Sequence, residues 1–297
     1  MEKRTLGKTG IEATVLGYGA MEIRLGEADG VSDADAGRIL NAVLDGGINF
    51  VDTAPDYGLS EERIGKSISG RRDEYFLASK CGCNIPRDAG PDAPGHLWTR
   101  DQLMHNIELS LQRMKTDVID IWQLHNPSVA EVEAGELVAA MEEVKQQGKV
   151  RHVSISSTIP SIREYITQGW FESYQIPYSA LHRGEENSIT AAAQSGAGTI
   201  IRGGVAQGEP GEGRGGEELW APWTKAGLDD LLDGGESRSA FLLRFTITHP
   251  HMHTTIVGTK NPSHLGENLK AVEAGPLSAE VYKEAKERLE RVGIKPA

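Results

Sequence analysis

The sequence contains very little cysteine. Its two cysteines, Cys81 and Cys83, have only Gly82 between them. A disulfide between positions this close would be strained, because the side chains cannot reach the usual S–S geometry. The pair therefore predicts reduced thiols and a cytoplasmic location, where disulfides are rare. A redox or metal-binding role for the pair is the alternative.

Long hydrophobic runs and an excess of basic charge are also missing. No stretch approaches the roughly 18 consecutive apolar residues of a membrane span. The opening MEKRTLGKTG lacks the apolar core of a secretory signal. The 31 basic side chains are outnumbered by 43 acidic ones, for a net charge of -12. Because nucleic-acid binding needs a basic face, this balance disfavours it. We predict neither a nucleic-acid nor a membrane partner.

Strands alternate with helices along almost the whole chain. Short apolar runs of strand type are each followed by a segment whose apolar residues recur at helical spacing. The strands are expected near residues 15, 49, 77, 121, 153, 174, 200 and 255. Eight such units favour a (β/α)8 TIM barrel, as one domain over residues 1–297, and an open doubly wound sheet is the alternative. We expect an N-terminal β-hairpin to plug the barrel and an amphipathic helix to follow it at the C-terminal end.

Chemically active side chains fall where the predicted strands end. The second strand ends at Asp52 with Tyr57 just beyond, the third at Lys80 and the fourth at His125. The carboxyl ends of barrel strands form the mouth that carries catalytic residues. There Lys80 would lower the pKa of Tyr57, Asp52 would hold Lys80, and His125 would orient a carbonyl oxygen. Such a proton relay still needs a hydride, which a nicotinamide cofactor can supply.

Four motifs, in this order and spacing, resemble the aldo-keto reductases: GINFVDTAPDYG, FLASKCG, IDIWQLHNP and VRHVSISS. The closing TTIVGTKNPSHLGENLKA resembles the segment with which that family binds the cofactor phosphate. The resemblance covers nearly the whole chain. It implies a catalytic tetrad of Asp52, Tyr57, Lys80 and His125, with the tyrosine as general acid in the reduction of a small carbonyl substrate.

The resemblance also implies a cofactor site. Ser156, Ser157 and Gln175 would hold the carboxamide, and Arg202 would stand where the family packs a residue on the nicotinamide face. Lys260 and His264 favour NADP(H), with NAD(H) possible. The residues assigned to the cofactor are Met21, Asp52, Ser156, Ser157, Gln175, Arg202, Gly203, Gly204, Gly208, Gly258, Thr259, Lys260, His264, Glu267 and Asn268.

Some segments depart from the family pattern. The fifth strand ends in Ser156-Ser157 where the family usually has Ser-Asn, and Arg202 replaces an apolar or aromatic shelf. The glycine-rich GGVAQGEPGEGRGG that follows is expected to form a mobile flap over the pyrophosphate. Loops 81–99 and 203–236 would decide the substrate. We assign Trp98 to the substrate site with Tyr57 and His125, whereas Trp220 and Trp223 either line the mouth or pack these loops.

Two further motifs carry no predicted site. GEGRGG, residues 211–216, matches a dinucleotide fingerprint but follows no strand directly, and no helix is expected to begin at it. HPHMH, residues 249–253, has no acidic or cysteine ligand nearby, so we predict no metal site there. Two other functions remain open beside carbonyl reduction. One is a reaction that recycles bound NADP internally, as in sugar epimerisation, and the other is a cofactor-sensing subunit with little turnover.

Overall fold

The chain opens with an antiparallel hairpin, β1 (Lys3–Thr5) and β2 (Glu12–Thr14). The structure, a computed structural model, describes residues 1–85 and 93–297. Leu6, Ile11 and Ala13 of the hairpin region are buried in one cluster with apolar residues of the barrel strands. This burial places the hairpin across the amino end of the barrel and confirms the predicted plug.

Eight parallel strands form a closed barrel. They are β3 (Leu16–Gly19), β4 (Phe50–Asp52), β5 (Phe76–Cys81), β6 (Ile119–His125), β7 (Val150–Ser156), β8 (Ser173–Pro177), β9 (Gly198–Arg202) and β10 (Thr254–Val257). Neighbours in the chain are neighbours in the barrel, and β10 closes the ring by pairing with β3. The TIM barrel prediction is confirmed, and the open sheet is wrong because the ring leaves no edge strand.

Helices surround the barrel. They are α1 (Asp33–Asp45), α2 (Ser60–Ser67), α3 (Arg100–Met114), α4 (Val129–Ala134), α5 (Leu137–Gln146), α6 (Ser161–Gln168), α7 (Glu186–Gln194), α8 (Glu217–Ala226), α9 (Arg238–Thr248), α10 (Pro262–Glu273) and α11 (Ala279–Arg291). The predicted C-terminal helix is confirmed as α11. Ser32 and Thr99 cap α1 and α3, since each side chain accepts a hydrogen bond from a backbone N–H of the first turn. Within residues 1–85 and 93–297, every helix is too short or too polar to span a lipid bilayer.

The segment EAGELVAAMEEVKQQGKV, whose apolar residues recur at helical spacing, contains a break between α4 and α5. Glu136 has a φ of 49°, which is outside helical geometry. Gly135 lies so close to Trp98 that a Cβ at this position would be 2.5 Å from the Trp98 carbonyl oxygen. The break therefore depends on a contact with a residue far away in the sequence.

Helix α8 lies where the sequence predicted only loop. Trp220 and Trp223 of this helix are buried, and Trp223 packs edge-on against Phe241 with ring centroids 5.5 Å apart. This burial outweighs the helix-breaking effect of Pro222. A helix thus does begin directly after GEGRGG, contrary to expectation, but β9 ends at Arg202 and the motif still follows no strand directly.

A buried arginine on α2 fixes the connection between β3 and α1. The Arg63 guanidinium donates to the carbonyl oxygens of Ile23 at 2.7 Å, Leu25 at 2.5 Å and Val31 at 2.7 Å. Its Nε also pairs with Asp33 at 3.0 Å. One side chain therefore satisfies the backbone of a whole irregular segment next to the barrel mouth.

We expect Arg63→Met to lower the free energy of unfolding by about 3–5 kcal/mol, because buried carbonyl oxygens and an acid lose their donor. Chemical denaturation followed by tryptophan fluorescence measures this. Arg38→Met is the matched control, since the Arg38 side chain is 68% exposed, and its cost should stay within about 0.5 kcal/mol. Equal losses in the two variants would contradict the anchoring role of Arg63.

Candidate active site

Four side chains converge at the carboxyl end of the barrel. Asp52 ends β4, Lys80 lies near the end of β5, His125 ends β6, and Tyr57 comes from the loop between β4 and α2. The Lys80 Nζ donates to Asp52 Oδ1 at 2.6 Å and lies 4.7 Å from the centre of the Tyr57 ring. The rings of Tyr57 and His125 meet edge to face with centroids 6.0 Å apart. The structure thus brings together all four residues of the predicted tetrad.

The buried carboxylate of Asp52 is held from three other strands. Its Oδ1 accepts from Lys80, and its Oδ2 accepts from the Nε2 atoms of Gln123 and Gln175, each at 2.8 Å. Ser156 Oγ donates to Gln175 Oε1 at 2.9 Å, so both polar ends of Gln175 are already engaged. Sequence reasoning missed Gln123. The sequence does contain a signal for it. Gln123 lies two residues before His125 on the same strand, and this spacing places both side chains on the same face.

Burial controls the protonation of Tyr57. Burial raises the pKa of its phenol, Lys80 opposes this rise, and Asp52 and Asp56 add to it. Lys80 therefore acts in the predicted direction, but desolvation outweighs the ammonium, so the net shift of the Tyr57 pKa is upward. Burial also works against the charge of Lys80, yet Asp52 and Tyr57 outweigh it and raise the pKa of Lys80. At neutral pH the phenol keeps its proton beside a charged lysine.

His125 is neutral in this environment. Burial, followed by the positive charge of Lys80, lowers the pKa of its imidazole well below the usual value. Its Nδ1 lies 3.4 Å from Cys83 Sγ and 3.5 Å from Asp56 Oδ2. Burial raises the pKa of the Cys83 thiol, so this thiol is protonated and can donate to Nδ1. When the thiol donates in this way, the imidazole carries its own proton on Nε2.

A cavity of about 280 Å³ opens beside the tetrad. Its described lining residues are Tyr57, His96, His125, Asn126, Ser156, Gln175 and Arg202. Within residues 1–85 and 93–297, the buried Nε of Arg202 has no hydrogen-bond partner. A buried N–H donor without a partner calls for an acceptor group in this cavity.

The other residues predicted to bind the cofactor lie around the same mouth. Ser157 directly follows β7, and its Oγ donates to the Thr158 carbonyl oxygen at 3.5 Å, a long and therefore weak hydrogen bond. Met21 lies in the 3-10 turn Ala20–Ile23 after β3. Gly203, Gly204 and Gly208 follow β9, and Gly258, Thr259 and Lys260 follow β10. His264, Glu267 and Asn268 lie on α10. Their roles toward the cofactor stay predictions.

The tryptophans occupy different places. Trp98 stacks on His96 with ring centroids 5.2 Å apart, so it lies behind a residue that lines the cavity. Trp220 and Trp223 are buried residues of α8, and neither lines the cavity beside the tetrad. Trp220 Nε1 donates to the Ala206 carbonyl oxygen at 3.1 Å. Of the loop 81–99, residues 86–92 lie outside the described part of the chain.

The glycine-rich segment after β9 folds as successive turns. Gly208 N–H donates to the Val205 carbonyl oxygen at 2.8 Å, and Arg214 forms an ion pair with Glu22 of the turn after β3. This pair links the segment to the turn after β3, which lies two strands away from β9 around the barrel. The mobility of the flap stays a prediction.

The histidines of HPHMH take part in the hydrogen bonds of the fold. His253 Nδ1 accepts from the backbone N–H of Thr199 at 3.0 Å, and His249 Nδ1 accepts from that of His251 at 3.2 Å. The first contact joins the segment before β10 to β9, and the second stabilises the turn within the motif. The histidines therefore have a structural role.

Comparison with known proteins defines the class. The model of the Aldo/keto reductase family matches residues 15–214, so the chain belongs to this family of oxidoreductases. Aldo-keto reductase AKR11C1 from Bacillus halodurans, in its holo form, has a TM-score of 0.83 and 30% identity, with 97% of this chain and 96% of that chain covered. The uncharacterized oxidoreductase YqkF of Bacillus subtilis (strain 168) is 28% identical over 95% of either chain. The NADH-specific methylglyoxal reductase of Escherichia coli (strain K12) is 30% identical over 64% of this chain and 62% of that protein.

Proposed function

We propose that the protein reduces a small aldehyde or ketone to an alcohol with a reduced nicotinamide cofactor, and that Tyr57 donates the proton. The observation that carries this proposal is the buried Lys80 ammonium, which is held by Asp52 at 2.6 Å and lies 4.7 Å from the centre of the Tyr57 ring. Tyr57 in turn lines the cavity. When bound, the cofactor supplies the hydride, which no side chain can provide.

Each residue of the tetrad has a distinct task in this proposal. Tyr57 gives its proton to the carbonyl oxygen as negative charge develops there. Lys80 stabilises the phenolate that remains, and Asp52 keeps Lys80 charged and in place. His125 offers its Nε2–H to the same oxygen, because its Nδ1 is directed at Cys83 and Asp56. In alcohol oxidation the same phenolate would act as base.

The donors at the mouth fit a nicotinamide nucleotide. Arg202 Nε and the Ser157 hydroxyl are available for carboxamide or phosphate oxygens. Gly203 has a φ of +75° with open space where a Cβ would lie, so a bound group can approach its backbone closely. Lys260 and His264 stand at the start of α10, where the helix dipole also favours an anion. NADP(H) is therefore favoured, and the name of the E. coli relative keeps NAD(H) possible.

The test is consumption of NADPH and of NADH with methylglyoxal and an aromatic aldehyde as probe substrates. We expect net oxidation of NADPH with alcohol formation. Lys260→Met should raise the KM for NADPH about 10- to 100-fold and leave that for NADH unchanged, because a charged hydrogen bond contributes about 1.5–3 kcal/mol. Lys270→Met, in the last turn of α10 and so at the far end of the helix from Lys260, is the control and should change neither KM.

The outcomes separate the open functions. Binding of cofactor without oxidation by any carbonyl would contradict the reductase proposal and favour a sensing subunit. Interconversion of a sugar without net cofactor consumption would favour internal recycling. A preference for NADH in both the native protein and Lys260→Met would contradict only the assignment of NADP(H).

We also infer a cytoplasmic location and one folded unit over residues 1–297. Both cysteines are free and buried, as expected in a reducing compartment. The hairpin at one end of the chain and the last helix at the other both pack on the barrel through buried apolar residues. Limited proteolysis that yields a single resistant core would support the second inference.

A further inference from the structure

Four side chains with metal-binding atoms meet beside the cavity: Asp56, Cys83, His96 and His125. One such atom from each lies within 4.8 Å of all the others. Cys83 Sγ is 3.4 Å from His125 Nδ1, and Asp56 Oδ2 is 3.5 Å from His125 Nδ1 and 3.7 Å from His96 Nε2. A tetrahedral zinc site with bonds of about 2.0–2.3 Å has edges of about 3.3–3.8 Å. These three distances therefore already match the edges of such a tetrahedron.

The positions of these side chains are fixed by the fold. Cys83 and His96 pair in an antiparallel β-bridge. One backbone hydrogen bond lies on each side of it, from Asn84 N–H to the Gly95 carbonyl oxygen at 3.0 Å and from Leu97 N–H to the Gly82 carbonyl oxygen at 2.8 Å. The ring of His96 is stacked on Trp98 with an interplanar angle of 4°. His125 is the last residue of β6, and Asp56 lies in the loop between β4 and α2. Three separate chain segments thus hold the four donors in place.

We propose that Asp56, Cys83, His96 and His125 form a binding site for a divalent cation of the zinc class. Zinc prefers four ligands with nitrogen, sulfur and carboxylate donors. Here one thiolate and one carboxylate would balance its charge of +2, and two neutral imidazoles would complete the four ligands. The Cys83 thiol loses its proton to solvent on binding. Mg²⁺ and Ca²⁺ are poor occupants, because they require more ligands and mostly oxygen donors.

The site shares one residue with the tetrad but not the atom assigned to the substrate. The cation would occupy His125 Nδ1, and Nε2 would keep its proton. Metal ligation through one nitrogen would then fix the same tautomer that the Cys83 thiol favours. Occupancy of the site requires no turnover, so it can be tested whether or not the protein is a reductase.

The experiment is titration of the chelator-treated full chain with Co²⁺, followed by displacement with Zn²⁺. We expect one equivalent of Co²⁺ to give intense visible bands of a tetrahedral site and a near-ultraviolet thiolate charge-transfer band. Cys83→Ala should lose the charge-transfer band and bind zinc more than about 100-fold more weakly, since loss of outer partners alone costs about 10- to 100-fold. Cys81→Ala is the matched control and should keep both properties, because Cys81 Sγ is directed at the Gln123 carbonyl oxygen at 3.3 Å.

A second variant keeps the test decisive if Cys83→Ala folds poorly. His96→Gln retains the thiolate, so it should keep the charge-transfer band while binding zinc at least about 10-fold more weakly. A weak octahedral Co²⁺ spectrum without charge transfer would overturn the proposal. So would zinc affinity that is the same in the native protein and His96→Gln, because the ion would then be bound elsewhere, for example at HPHMH.

Discussion

Tyr57→Phe should lose about 10²- to 10⁴-fold in kcat for carbonyl reduction while binding the cofactor as before, because only the proton donor is removed. The half-buried phenol lies at the cavity wall, and its partial burial raises its pKa, so it holds its proton at neutral pH. His125 cannot easily replace it, since a neutral imidazole is a far weaker acid. The measurement is single-turnover oxidation of NADPH together with cofactor binding by fluorescence.

Tyr75→Phe is the matched control for this variant. Tyr75 is a buried tyrosine that directly precedes β5, so it lies at the opposite end of that strand from Lys80. Its loss of the hydroxyl should leave kcat unchanged. If Tyr57→Phe kept kcat within about 10-fold of the native value, the proton would come from another group and the proposed role of Tyr57 would be wrong.

Lys80→Met should lower both activity and stability. The side chains of Lys80 and Asp52 are 1% and 2% exposed. Loss of the ammonium leaves a buried carboxylate without its counter-ion, which should cost about 3–5 kcal/mol in the free energy of unfolding. It also removes the charge that stabilises the Tyr57 phenolate, so kcat should fall by about 10²-fold or more. Denaturant titration and steady-state kinetics measure the two effects.

The double variant Asp52→Asn/Lys80→Met separates these effects. It contains no lone buried charge, and a neutral replacement of a buried ion pair is often tolerated. We therefore expect it to regain most of the lost stability while its activity stays low. Recovery of activity together with stability would show that Lys80 acts only by holding the fold.

The barrel could be predicted because its signal is local and repeated. Each strand is visible in the sequence as a short apolar run, and a polar residue followed by a loop marks the end of the run. Helix α8 could not be predicted, since it depends on packing of Trp223 against Phe241, which the sequence around Pro222 does not reveal. The break at Glu136 likewise depends on the approach of Gly135 to Trp98.

The candidate site was predictable to a similar degree. Asp52, Lys80 and His125 were found because strands bring their ends to one mouth. The net pKa shift of Tyr57 was not, because its sign depends on how deeply the phenol is buried. The grouping of Cys83 with His96 was equally hidden, since it results from how the chain turns back after β5.

The bridge between Cys83 and His96 also makes the connection after β5 a natural graft point for engineering. Its backbone bonds hold the two ends of the connection at a fixed spacing. Each doubling of the length between them would cost only about 0.6 kcal/mol in closure entropy. A library of inserts between positions 84 and 95 could therefore vary substrate choice in directed evolution, while Asp52, Tyr57, Lys80 and His125 remain untouched.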